Sequence, residues 1–214
     1  MEFIKLLLER YPVLCICENE ISKAYALLEK TYLNEGKVLA CGNGGSASDA
    51  AHIVGELMKS FCIKRDIGKA QNAIESMLLE EDSKYICNNL QGALPAISLH
   101  GELALTSAYA NDVASDMVYA QQVLGYGRKG DVLIAISTSG NSENIVRAAQ
   151  TAKALGLYVV GLTGISGGKL KEICDACVCV PETETYRIQE LHLPVYHALC
   201  LMLEDRFFGV NAYE

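Results

Sequence analysis

The sequence predicts an α/β protein: a doubly wound sheet of five parallel strands with helices on both faces and a helix in front. Three observations carry this. Short apolar runs recur at 37–41, 94–99, 131–136, 157–162 and 176–180. Most are separated by stretches long enough for a helix, the signature of strand–helix–strand units. The runs are near-continuous Val, Leu, Ile, Ala and Cys rather than alternating, as strands covered on both faces should be.

Taken in order, residues 14–34 carry apolar positions at helical spacing and stop at Asn34-Glu35-Gly36, the pattern of a glycine-terminated helix. They belong to a helical extension, about 1–36, in front of the first strand. The strand at 37–41 runs into Gly42-Asn43-Gly44-Gly45-Ser46 and a helix carrying His52 and Glu56. Residues 62–91 form an excursion: it mixes Lys64-Arg65-Asp66 with an apolar helical piece at 73–79 and shows no strand or legible purpose. His100 at the end of the next strand reads as structural. The strand at 131–136 feeds Ser137-Thr138-Ser139-Gly140-Asn141-Ser142 and another helix, and 184–208 is a long closing helix.

With 214 residues, 50% of them hydrophobic, and ~150 residues per domain, one domain over 1–214 is the economical organisation. Eighteen Lys and Arg against 26 Asp and Glu leave a net charge of −8, which repels polyanions and disfavours nucleic acid as a partner. No apolar run approaches the ~20 residues of a membrane span, and Glu9-Arg10 interrupts the first apolar stretch before a secretory core can form. A soluble cytoplasmic protein is expected. The odd set of nine cysteines, mostly inside apolar segments, suits a reducing compartment. Cys174, Cys177 and Cys179 read as a helix end entering a buried strand rather than as a zinc knuckle, which normally uses two separated cysteine pairs.

Glycines and small hydroxyls at the end of a parallel strand let the backbone approach an anion, and the next helix aims its free N–H groups and positive dipole end at it. Ser137, Thr138, Ser139 and Ser142 place four hydroxyls within six positions. Simple helix capping, by Ser46 with Asp49 and by Ser139 with Ser142, is the alternative. No Lys follows the glycines, which excludes a nucleoside-triphosphate P-loop. The Gly42-x-Gly44-x-x-Ala47 match to a dinucleotide fingerprint is weak, because its required acid would be Asp66, inside the charged segment. No nucleotide cofactor is expected. His52 and Glu56, at i and i+4, share one helix face, which can hold a metal, position a base, or form a plain surface pair.

These motifs together, with Arg187-Ile188-Gln189-Glu190 followed by His197, resemble the sugar isomerase (SIS) domain, specifically the phosphoheptose isomerases, over about residues 14–208. The resemblance implies a flavodoxin-like sheet, a homotetramer with sites at subunit interfaces, and conversion of sedoheptulose 7-phosphate to an aldose, with zinc, one ion per subunit. It makes Ser137, Thr138, Ser139 and Ser142 the phosphate loop, adds Asn43, Gly44, Gly45, Ser46 and Gln189 to the substrate site, and matches Asn111 and Asp112 to a substrate-contacting pair. It implies His52, Glu56, Gln189 and His197 as zinc ligands and Glu56 with His197 as the proton-transfer pair. A carboxylate and an imidazole suit an enediol reaction, in which a proton leaves one carbon and returns to its neighbour while an oxygen proton moves the other way.

Three features depart from the family pattern. Gln189 and His197 are eight residues apart, ~12 Å along a straight helix, with Pro194 between them, a residue that starts or kinks helices. Tyr186 stands where the family often has a small acidic residue. The excursion is long. The remaining alternative is a non-catalytic SIS module that binds sugar phosphates or a protein partner, of the kind that binds a replication initiator. Retention of both Glu56 and His197 favours the enzyme, and a dehydrogenase trails both.

Overall fold

The computed structural model describes residues 2–209. In chain order the elements are α1 (Glu2–Arg10), α2 (Glu18–Leu33), β1 (Val38–Cys41), α3 (Gly45–Met58), α4 (Lys69–Met77), α5 (Glu80–Asn89), β2 (Ala96–Ser98), α6 (Leu103–Asp112), α7 (Val118–Tyr126), β3 (Val132–Ile136), α8 (Glu143–Ala154), β4 (Tyr158–Thr163), α9 (Leu170–Ile173), β5 (Ala176–Cys179) and α10 (Thr185–Phe208). The five strands are those the apolar runs predict. They pair in parallel in the order β2-β1-β3-β4-β5, the flavodoxin-like order.

Burial explains why the strands lack alternation. Val38, Ala40, Val132, Ile134, Ile136, Val160 and Leu162 face one core, closed by α1, α2, α3 and α10. Their neighbours Leu39, Cys41, Leu133, Ala135 and Val159 face a second core, closed mainly by α7 and α8. Both cores exclude water, so both strand faces are apolar.

The chain turns after α2 with Glu35, not Gly36, in the left-handed region (φ 58°). Gly36 is needed for closeness instead, because a Cβ there would lie 2.8 Å from the Thr31 methyl. Pro194 neither starts nor breaks α10, which is helical from Thr185 to Phe208 and buries that proline. The excursion resolves into α4 and α5, which pack on each other, with no buried residue in α4 and only Ser83 buried in α5. Its ends meet where the Gly92 N–H donates to the Arg65 carbonyl (3.3 Å). Among the described residues no helix is long and apolar enough to cross a membrane.

Candidate active site

β1 and β3 are neighbours, with Cys41 opposite Ala135, and the strand order reverses between them. In such sheets ligands bind in the crevice beyond the carboxyl ends of the strands at this switch point. The two glycine- and hydroxyl-bearing loops leave the sheet there side by side. A reciprocal amide pair ties them: Asn43 Nδ2 donates to Asn144 Oδ1, and Asn144 Nδ2 donates to Asn43 Oδ1, both at 2.9 Å.

In the first loop the Gly42 carbonyl accepts from the Tyr119 hydroxyl (3.0 Å) and lies 2.7 Å from Nε2 of His100, whose Nδ1 meets the Ser98 hydroxyl at 3.0 Å. Gly42 has no room for a side chain, because the backbone of Ser46 occupies the space a Cβ would need. Gly44 sits at φ 55°, where glycine is favoured. Gly44 is also the N-cap of α3, and Ser46 is buried inside the first turn, so it is not the cap. In the second loop Ser142 is the N-cap of α8 but makes no side-chain cap bond; its hydroxyl meets that of buried Ser137 at 3.0 Å. The exposed Ser139 hydroxyl accepts from the Asn141 N–H (3.1 Å), and Thr138 is half-buried. Capping therefore does not account for these hydroxyls. Two helix N-termini without side-chain caps, α3 and α8, meet beside them, an arrangement that favours an anion. Glu143 opens α8, and its carboxylate is paired with Lys169 (2.5 Å), whose hydrogen bond and charge hold that carboxyl below its ordinary range.

Farther along α3 lies a second cluster, shared with α10. Nε2 of His52 is 3.1 Å from Oε1 of buried Glu56, Nδ1 is 3.0 Å from the Tyr196 hydroxyl, and the His52 ring stands edge-on to His197 with centroids 5.0 Å apart. The expected i, i+4 pair thus forms, and the fold adds His197 to it. Lys59 Nζ lies 3.4 Å from the other Glu56 oxygen. Burial pushes the His197 imidazole down from its usual value; His52 acts in the same direction and Glu56 against it. The Tyr196 hydroxyl donates to Asp49 (3.3 Å), a carboxyl that burial raises against the opposing effects of that bond and of His52. A largely apolar cavity of about 600 Å³, lined by Phe3, Phe61, Leu193 and Leu201 among others, also opens on His197. Glu190, Glu204 and Asp205 outnumber Arg10 in its lining, which disfavours a phosphate.

Of the remaining expected residues, Gln189 joins the first loop, whereas Asn111 and Asp112 lie elsewhere. Gln189 packs on the start of α3: a Cβ on Gly45 would lie 2.5 Å from its Nε2. α10 thus runs alongside α3, with Gln189 beside Gly45 and His197 beside His52. Asn111 and Asp112 are exposed at the end of α6 and bond to each other (2.9 Å). Asp66 is not at a strand end; it accepts from the Gly68 N–H ahead of α4, which removes the dinucleotide reading.

The four-residue zinc set does not close in one protomer. Among the described residues no three His, Cys, Asp or Glu side chains are arranged to hold a metal ion. Nε2 of His197 is buried without a hydrogen-bond partner beside His52 and Glu56, as a donor awaiting a ligand would be. Gln189, however, is held at Gly45 by an unbroken helix, ~12 Å along the axis from His197. Both His52 nitrogens are also engaged.

Sequence reasoning missed Asn144, Tyr119 and Tyr196, and gave His100 no link to the first loop. None carries a local signal, because each reaches its partner only through the fold.

The open five-stranded sheet with paired loops at its switch point is an α/β fold of the SIS class, and residues 86–164 match the SIS domain family model. The chain is 38% identical over 189 residues to the phosphoheptose isomerase of Rhodospirillum rubrum, covering 88% of this chain and 87% of that protein. With the phosphoheptose isomerase of Helicobacter pylori strain P12 it shares 39% identity over 194 residues, 91% of this chain and 88% of that one. The solved phosphoheptose isomerase of Neisseria gonorrhoeae superposes with a TM-score of 0.72 at 33% identity, covering 95% and 94% of the two chains. The chain belongs to the phosphoheptose isomerase family.

Proposed function

We propose that this protein is a phosphosugar isomerase that interconverts sedoheptulose 7-phosphate and an aldoheptose 7-phosphate. The observation that carries the reading is the meeting of Glu56, His52 and His197 between α3 and α10. A module that only binds sugar phosphates needs the two loops but not a buried carboxylate beside two imidazoles.

In this reading the hydroxyls of Ser137, Thr138, Ser139 and Ser142 and the N-terminal turns of α3 and α8 hold the phosphate, with Asn43, Gly44, Gly45 and Ser46 lining the sugar. Glu56 removes the proton from C1 of the ketose while His197 delivers a proton to the C2 oxygen, giving an enediol. Glu56 then returns its proton to C2 as the C1 hydroxyl proton is withdrawn, leaving the aldehyde at C1. Burial pushes the His197 imidazole below its usual value, which favours the neutral form that can accept as well as donate.

The distance between loops and pair supports an oligomer. Gly45 and Glu56 are eleven residues apart on one helix, ~16 Å along its axis, whereas the eight bonds from C1 to the phosphorus of a heptose 7-phosphate, each near 1.5 Å, extend over roughly 10 Å. The phosphate corner of one protomer therefore serves the Glu56 and His197 of another, in a homo-oligomer that we infer to be a tetramer, with Gln189, Asn111 and Asp112 as substrate contacts there. One zinc ion per subunit enters this reading only where the assembly adds a further donor to His52, Glu56 and His197; elemental analysis of the purified oligomer decides it. The cytoplasm is the compartment we infer, in line with nine free cysteines.

The test is incubation with sedoheptulose 7-phosphate in deuterium oxide, following deuterium at C1 and C2. Wild type exchanges, and Glu56→Gln loses turnover while ligand affinity stays within a few-fold. Absence of exchange in the wild type assigns the chain to the binding modules, and full activity of Glu56→Gln removes the carboxylate from the mechanism.

A further inference from the structure

We infer that the buried Arg65–Glu204 pair is a positioning element that fixes the helix carrying Glu56 against the helix carrying His197. This rests on the catalytic reading of those two residues. The Arg65 side chain is 0% exposed and that of Glu204 2%. The guanidinium reaches three ways. Nη1 donates to the Leu57 carbonyl and Nη2 to the carbonyl of Glu56 itself, each at 2.7 Å, and Nε donates to Glu204 Oε1 at 2.8 Å. Its remaining face lies over the Phe208 ring, 4.9 Å from the centroid. Glu204 in turn accepts the N–H groups of Phe61 (2.7 Å), Cys62 (2.8 Å) and Ile63 (3.3 Å), which fastens the chain leaving α3 onto α10.

Two features make this more than a structural staple. First, its position: Arg65 holds the backbone of the proposed C–H base, and Glu204 lies seven residues, two helical turns, beyond His197 on the same face of α10. A shift between α3 and α10 at this point moves the base against the acid directly. Second, its chemistry. The last-turn carbonyls of a helix need donors, and a cation there is favourable, yet a buried ion pair gives little stability that well-packed apolar side chains would not give. What apolar side chains cannot supply is the fixed geometry of a planar fork with donors in three directions, which a lysine ammonium also cannot reproduce. Arg65 and Glu204 touch no reacting atom in this arrangement. They act through Glu56 and His197, where a misplacement of about 1 Å can cost ~100-fold in rate.

The experiment compares wild type, the apolar replacement Arg65→Met with Glu204→Leu, the single variants Arg65→Lys and Glu204→Gln, and Glu56→Gln. Each is followed by thermal unfolding and by steady-state isomerisation of sedoheptulose 7-phosphate. The expected result is a folded apolar double variant with KM within about threefold of wild type and kcat lowered ~10- to 100-fold, with Arg65→Lys failing to rescue kcat. A folded double variant with wild-type kcat overturns the inference. Should the double variant not fold, the isosteric Glu204→Gln decides: kcat falling at constant KM supports the inference, and unchanged kcat overturns it. Glu56→Gln separates the two layers. If it is inactive while the Arg65 and Glu204 variants keep full turnover, the positioning role alone is lost; if Glu56→Gln is fully active, the catalytic reading fails and takes the inference with it.

Discussion

His192 makes the stability of this protein depend on pH in a way that can be worked out in advance. Its side chain is 0% exposed on α10, Nε2 faces the Thr163 carbonyl at 3.2 Å and Nδ1 is buried without a partner. Nε2 therefore carries the proton and donates, and a second proton on Nδ1 would put a charge into the core. Burial pushes the imidazole down from 6.5 to about 4. The unfolded chain thus binds this proton more readily than the folded one, so the group's contribution to stability is complete above pH 6.5 and is lost as the pH falls towards 4. At ~1.4 kcal/mol per tenfold change in the proton equilibrium, the loss is about 2 kcal/mol by pH 5 and about 3 kcal/mol by pH 4. Urea unfolding of wild type and His192→Gln between pH 7.5 and 4 reads it directly. Glutamine keeps a donor for Thr163 and cannot be charged, so its stability should fall less steeply with acid by these amounts. Parallel pH profiles for the two proteins would refute the argument.

Two further predictions bear on the loops. Gly42→Ala forces a methyl into the Ser46 backbone and should cost about 1–3 kcal/mol of stability, read as a lower urea midpoint, with weaker phosphate-ester binding in whatever fraction folds. His100→Ala removes one of the two groups that meet the Gly42 carbonyl. It should cost about 1 kcal/mol of stability and raise KM several-fold with little change in kcat; an unchanged KM would show that the carbonyl needs no second anchor.

Most of the fold is legible in the sequence because burial on both faces leaves a plain mark. Val38-Leu39-Ala40-Cys41 and Val132-Leu133-Ile134-Ala135-Ile136 alternate between two cores, so every residue is apolar. The helices of the excursion leave no such mark, since α4 and α5 bury almost nothing for the sequence to record. The turn after α2 misleads for a related reason: glycine stands next to the left-handed residue rather than at it, because the tight space at Gly36 outranks the backbone conformation at Glu35. In the site, His52 with Glu56 is visible as a local i, i+4 pair. The meeting with His197, the Asn43–Asn144 tie and the anchoring of Gly42 join residues 58 to 145 positions apart, and no local pattern encodes them. Gln189 was grouped with His197 by the resemblance, whereas an unbroken α10 keeps them two turns apart.

The closure of the excursion on itself has a consequence for how this chain can change. The peptide departs at Arg65 and rejoins at Gly92 across one hydrogen bond, so what hangs beyond that knot can lengthen or shorten at an entropic penalty that grows only with the logarithm of its length. The knot itself has no such freedom: a side chain on Gly92 would run into Phe208, Arg65 and the Asp66 carbonyl. A fluorophore or affinity handle grafted near the tip, where Met77 and Leu79 are 83% and 77% exposed, would ride on a limb that the sheet does not feel.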